Sequence, residues 1–94
     1  MTIEQAQKAF DELIAKNRFT IVGYTSDTRI PVYHRIWQQE KESLEVRMIL
    51  SGTYTLVTVK KNGKIDGDII RDYSSPKRAF NAIRTMVRNT GFDM

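Results

Sequence analysis

The chain has 94 residues, 40% hydrophobic and 28% charged, the proportions of an ordinary folded domain and not of a disordered one. That length fits one domain and leaves no room for two. The net charge of +4 leans toward anionic partners, and the lack of cysteine excludes disulfides and thiolate metal sites.

A chain this short buries only about 60–65% of its unfolded surface, so association with a second copy is one way to add burial. No apolar run approaches the roughly 20 residues of a membrane span. The opening "MTIEQAQKAFDEL" is amphipathic and carries acids, unlike a signal or transit peptide. A cytoplasmic protein without membrane contact or small-molecule cofactor is expected.

The spacing predicts a helix over 2–16, with Ile3, Ala6, Phe10, Leu13 and Ile14 on one stripe. Thr2 and Gln5 fit a capping box, and Asn17 a stop. From residue 18 the helical period gives way to β-branched and aromatic residues. Five strands are predicted, over 18–24, 30–37, 43–50, 53–61 and 64–73. The "SG" and "NG" connections demand antiparallel hairpins, because glycine accepts the positive φ of tight turns.

A loop of Ser51–Gly52 pairs Leu44 with Val59, Val46 with Val57 and Met48 with Thr55. A regular two-residue turn at Asn62–Gly63 would set Val57 and Val59 against Asp68 and Asp66 on the core face. Burying an unpaired carboxylate costs several kcal/mol. A three-residue loop of Lys61, Asn62 and Gly63 is therefore predicted, setting Val59 against Ile65, Val57 against Gly67 and Thr55 against Ile69. The core face then carries Leu44, Val46, Met48, Leu50, Val57, Val59, Ile65 and Ile69. The other face carries Glu45, Arg47, Thr58, Asp66 and Asp68, and beside them a second apolar cluster of Ile49, Tyr54, Leu56 and Ile70.

The closing stretch "SSPKRAFNAIRTMVRNTG" predicts a helix with Ser75 as N-cap, Pro76 in the first turn and Gly91 as terminator. Ala79, Phe80, Ile83, Met86 and Val87 form its apolar stripe. The whole is a single α+β domain over 1–94: an N-terminal helix, a five-stranded antiparallel β-meander and a C-terminal helix. Either both helices pack on the core face, or one covers the Ile49–Tyr54–Ile70 cluster. The order of elements resembles a double-stranded-RNA-binding domain in outline. That domain has three strands and a glycine-rich lysine motif opening its closing helix, where this chain has five strands and "YSSPKRAF". No family is assigned on that basis.

Along the closing helix Lys77, Arg84 and Arg88 recur at helical spacing on one line, with Asn81 between them and Arg78 to the side. Such a line can follow a phosphate backbone. It also serves as the solvated side of an amphipathic helix, with cations favoured near the C-terminal end.

Chemistry is otherwise sparse. His34 is the sole histidine, with no sequence neighbour to orient it, and is read as structural. Asp66, Asp68, Asp72 and Glu45 are read as exposed strand charges and not as a metal set. No nucleophile elbow, phosphate loop, dinucleotide fingerprint or zinc-protease motif is present. A non-enzymatic binding module is expected.

Two partners follow from the residues. One is nucleic acid or another anion at Lys77, Arg78, Arg84 and Arg88. The other is a protein, or a second copy in a homodimer, at Ile49, Tyr54, Leu56 and Ile70. Tyr33, Arg35 and Trp37 would form a base-stacking platform if exposed. Trp37 is expected instead to be a core residue.

Overall fold

Thr2 opens the first helix as the sequence predicts. Its Oγ1 accepts from the Gln5 amide at 3.1 Å, and its own amide donates to Gln5 Oε1 at 2.9 Å. Two orphan amides are thereby satisfied reciprocally. In the computed structural model the backbone of residues 1–94 and the side chains of residues 1–63 and 71–94 are described.

Helix α1 spans Ile3–Lys16 and buries Ala6, Phe10 and Ile14, while Ile3, on the same stripe in sequence, remains exposed in the first turn. Strands β1 (Thr20–Tyr24), β2 (Pro31–Gln39), β3 (Glu42–Ser51), β4 (Tyr54–Lys61) and β5 (Lys64–Tyr73) follow, then helix α2 (Pro76–Asn89). The strands form one open sheet in chain order, every neighbour antiparallel.

Both helices end in the same way. After α1, the Phe19 amide donates to Ile14 O at 3.0 Å and the Arg18 amide to Ala15 O at 3.3 Å. After α2, Phe92 donates to Val87 O at 3.1 Å and Gly91 to Arg88 O at 3.0 Å. These paired bonds are Schellman motifs, which need a left-handed residue between cap and phenylalanine. Gly91 meets that need at φ +90°, as the sequence predicts. At the equivalent place in α1 stands Arg18, at φ +59°, where a β-carbon costs on the order of 1 kcal/mol. Both phenylalanines turn inward as the motif's apolar contact.

The hairpins correct two predicted registers. Between β3 and β4 the loop is Gly52–Thr53, so Val46 pairs with Val59, Met48 with Val57 and Leu50 with Thr55. Gly52 has positive φ and Thr53 does not, the pattern of a type II′ turn with glycine first. The slip from the predicted pairing is two residues, so every side chain keeps its face.

Between β4 and β5 the predicted three-residue loop is replaced by a two-residue turn. Lys61 pairs with Lys64, and Asn62 and Gly63 both take positive φ, at 54° and 78°. This is the type I′ geometry that matches strand twist. The irregularity moves into the strands instead: Lys60 pairs with Ile65, but Thr58 already pairs with Ile70. Beyond this shift Val57 lies opposite Arg71 and Thr55 opposite Tyr73. The predicted inward placement of Ile65 and Ile69, and outward placement of Asp66 and Asp68, lie outside the described side chains.

The core forms on one face of the sheet. Leu44, Val46, Met48, Leu50, Val57 and Val59 are buried as predicted, and both helices cover them. Phe80 of α2 stands edge-on to Phe19 at 5.6 Å, and Phe10 of α1 edge-on to Tyr33 at 5.6 Å. Of the two helix arrangements the sequence leaves open, the one with both helices on the core face is observed. Thr55 is buried among these apolar groups, its hydroxyl without a partner among the described residues.

Candidate anion-binding surface and outer sheet face

Helix α2 buries Ala79, Phe80, Ile83 and Val87 against the sheet, which fixes its rotation. Lys77, Arg78 and Arg88 are consequently exposed, while Arg84 is half-buried. None of the four takes part in an ion pair among the described residues.

Arg84 is half-buried because α2 lies beside the end of α1. There it shares a cleft of about 480 Å³ with Lys16, Arg18 and Arg35, rimmed by Asp93. Lys16 closes the last turn of α1, where the carbonyl end of the helix favours a cation. Arg35 comes from β2, opposite Val46 and thus on the covered side of the sheet. Its guanidinium lies 4.5 Å from the centre of the Trp37 ring and donates to Asn17 O at 3.0 Å. Burial lowers its pKa, and the nearby charge of Arg18 lowers it further. Arginine starts so high that it stays charged.

Sequence reasoning missed Lys16, Arg18 and Arg35 as partners of Arg84. They lie far apart in the chain, and no periodicity connects them. The stacking platform also fails to form, as the core reading of Trp37 expects. Trp37 is only 6% exposed and stands edge-on to Phe19, with its indole N–H donating to Asp93 O at 2.8 Å.

The outer sheet face carries neither helix. Ile49 pairs with Leu56, both half-buried, and Tyr54 beside them is 54% exposed. Ile49 and Leu56, together with Val32, border a shallow depression of about 310 Å³ that extends to Arg47 and Lys60 and does not include Tyr54. Ile70, the fourth predicted member, pairs with Thr58 in the backbone register, and its side chain lies outside the described residues.

On the same face His34 is oriented after all, by a residue of the next strand. Its Nδ1 lies 2.7 Å from Glu45 Oε2, which also accepts from Arg47 Nε at 3.0 Å. Burial pushes the Glu45 carboxyl up, but the bonds from His34 and Arg47 outweigh it, so the group lies below its usual value. With its carboxylate so engaged, Glu45 acts as the anchor of an ion-paired network. No other His, Asp or Glu joins it as a cluster of three among the described residues. Among the described residues no helix is long and apolar enough to cross a membrane.

No family model, curated protein or solved structure matches this chain.

Proposed function

We propose that the protein is a binding module for a polyanion, nucleic acid foremost, contacted by Lys77, Arg78, Arg84 and Arg88 of α2. The observation that carries this reading is the meeting of Arg84 with Lys16, Arg18 and Arg35 at one cleft. Four like charges gathered against the one acidic side chain of Asp93 oppose the folded state, and an anionic partner relieves that repulsion. The line along α2 continues the same field, since Lys77 and Arg88 flank Arg84 at helical spacing. No exposed aromatic accompanies the line on α2, which favours contact with phosphates over contact with bases.

Fluorescence anisotropy with labelled 20-nucleotide single and double strands tests the reading. Four phosphate contacts give a slope of about −3.6 in log K against log salt on duplex DNA. Replacing Lys77, Arg78, Arg84 and Arg88 together with alanine is expected to weaken binding at least about a hundredfold at low salt. Equal binding by wild type and variant would refute the assignment to α2.

A second reading is favoured by a different feature, the bare outer face. With both helices on one side, Ile49, Tyr54 and Leu56 remain uncovered, and such a patch suits a protein partner or a second copy of this chain. Sedimentation at high concentration is expected to give a mass near twice 10.9 kDa. A strictly monomeric protein would rule out the homodimer.

A further inference from the structure

We infer that the cleft between the end of α1, β2 and α2 is a discrete phosphate-binding site, with Arg35 as its anchor and Lys16, Arg18 and Arg84 closing around the ligand. It shares only Arg84 with the line proposed above, and it would stand if nucleic acid were not the ligand.

Arg35 is the first ground. It projects from the covered side of the sheet, opposite Val46 and beside buried Trp37. Arg35 itself is half-buried and reaches the cleft from that side. A guanidinium has five N–H donors, and among the described residues the one acceptor it reaches is Asn17 O. Its plane is held by Trp37 at 4.5 Å, so donors not used by Asn17 border the cleft in a fixed orientation. A planar, pre-oriented fork is the geometry that suits the oxygens of a phosphate.

The second ground is Arg18. Two helices of this chain end in the same Schellman motif, and one of them uses glycine at the left-handed position. The other holds an arginine there at φ +59°, against the local preference. Arg29 and Glu40 also take positive φ in turns, so the conformation of Arg18 gains its meaning from where the residue stands. Its side chain lines the cleft.

The third ground is charge. Four cations come from α1, the turn after it, β2 and α2, opposed in the cleft by the carboxylate of Asp93 alone among acidic side chains. The helix dipole accounts for Lys16 at the end of α1. It does not account for Arg35 and Arg84, which belong to other elements and converge on the same space.

Arg18→Gly separates a binding role from a structural one, because it relieves strain while removing a cation. Calorimetric titration with inorganic pyrophosphate at low ionic strength is expected to show binding to the wild type. Arg18→Gly should melt about 4 °C higher and bind about tenfold more weakly. Arg18→Gly with Arg84→Ala should lose about a hundredfold, and Asp93→Asn should bind more tightly. Lys77→Ala with Arg88→Ala, outside the cleft, should leave the pyrophosphate affinity unchanged.

Absence of pyrophosphate binding, or equal affinity in the Arg18→Gly/Arg84→Ala variant, would overturn the site. Loss of oligonucleotide binding in Lys77→Ala/Arg88→Ala with pyrophosphate binding intact would separate the two surfaces and leave the cleft standing. Competition identifies the source of the phosphate. An oligonucleotide that displaces pyrophosphate assigns the cleft to a nucleic-acid backbone, and one that binds without displacing it assigns the cleft to small phosphate compounds.

Discussion

Trp37→Ala is expected to destabilise the protein by about 3–5 kcal/mol, the range for removing a buried large aromatic. Trp37 combines three roles that alanine abolishes together. It fills the space beside Phe19, it donates to Asp93 O, and its ring carries the Arg35 guanidinium. Loss of the indole N–H also strands a carbonyl in the segment after α2, and loss of the ring removes what orients Arg35. Domains of this size have a total stability of about 5–15 kcal/mol, so the variant should lose much of its margin. Urea unfolding checks the prediction. Trp37→Phe restores the ring but not the donor and should recover most of the loss. A cost below about 0.5 kcal/mol for Trp37→Ala would mean an exposed platform and not a core residue.

The sequence carries different parts of this structure with different force. Caps and turns are local chemistry, and they are written where they act: Thr2 with Gln5, Ser75 before Pro76, and Gly91 after α2. Strand faces are nearly as explicit, because alternation in "LEVRMIL" and "TLVTVK" has one period. Register is another matter. A two-residue slip preserves every face, so the pattern in β3 and β4 is equally content with a loop at Ser51–Gly52 or Gly52–Thr53. Turn geometry decides it, by placing glycine first. Likewise the clash of Val57 and Val59 with aspartates requires an irregularity between β4 and β5, but charge alone does not locate it. Asn62 and Gly63 form the better turn, and the irregularity moves along the strand.

The cleft was the least accessible feature. Arg35 sits in sequence among aromatic neighbours, which invites a reading as a stacking surface. Its covered position follows only from pairing with Val46. Lys16 and Arg18 read as the solvated end of a helix, and Arg84 as part of a helical line. What joins them is the packing of α2 beside α1, a tertiary fact with no local signature.

The sorting of the sheet into a covered and a bare face predicts the sharpest contrast between neighbouring positions. Val59 is 1% exposed on the covered face, among Val46, Val57 and the helices. Val59→Asp puts an unpaired carboxylate there, at an expected cost of about 4–5 kcal/mol or more, enough to leave a small domain largely unfolded. Thr58, one residue earlier, lies on the outer face opposite Arg47, with Lys60 two residues further along. Thr58→Asp adds a carboxylate facing a cation across the strands, and cross-strand pairs of opposite charge are favourable by a few tenths of a kcal/mol. Its effect should stay within about 1 kcal/mol. Circular dichroism melting curves for the two variants make the comparison with the same added charge and the same strand. Similar costs at both positions would contradict the observed faces. With them would fall the claim that the helices leave Ile49, Tyr54 and Leu56 open to a partner.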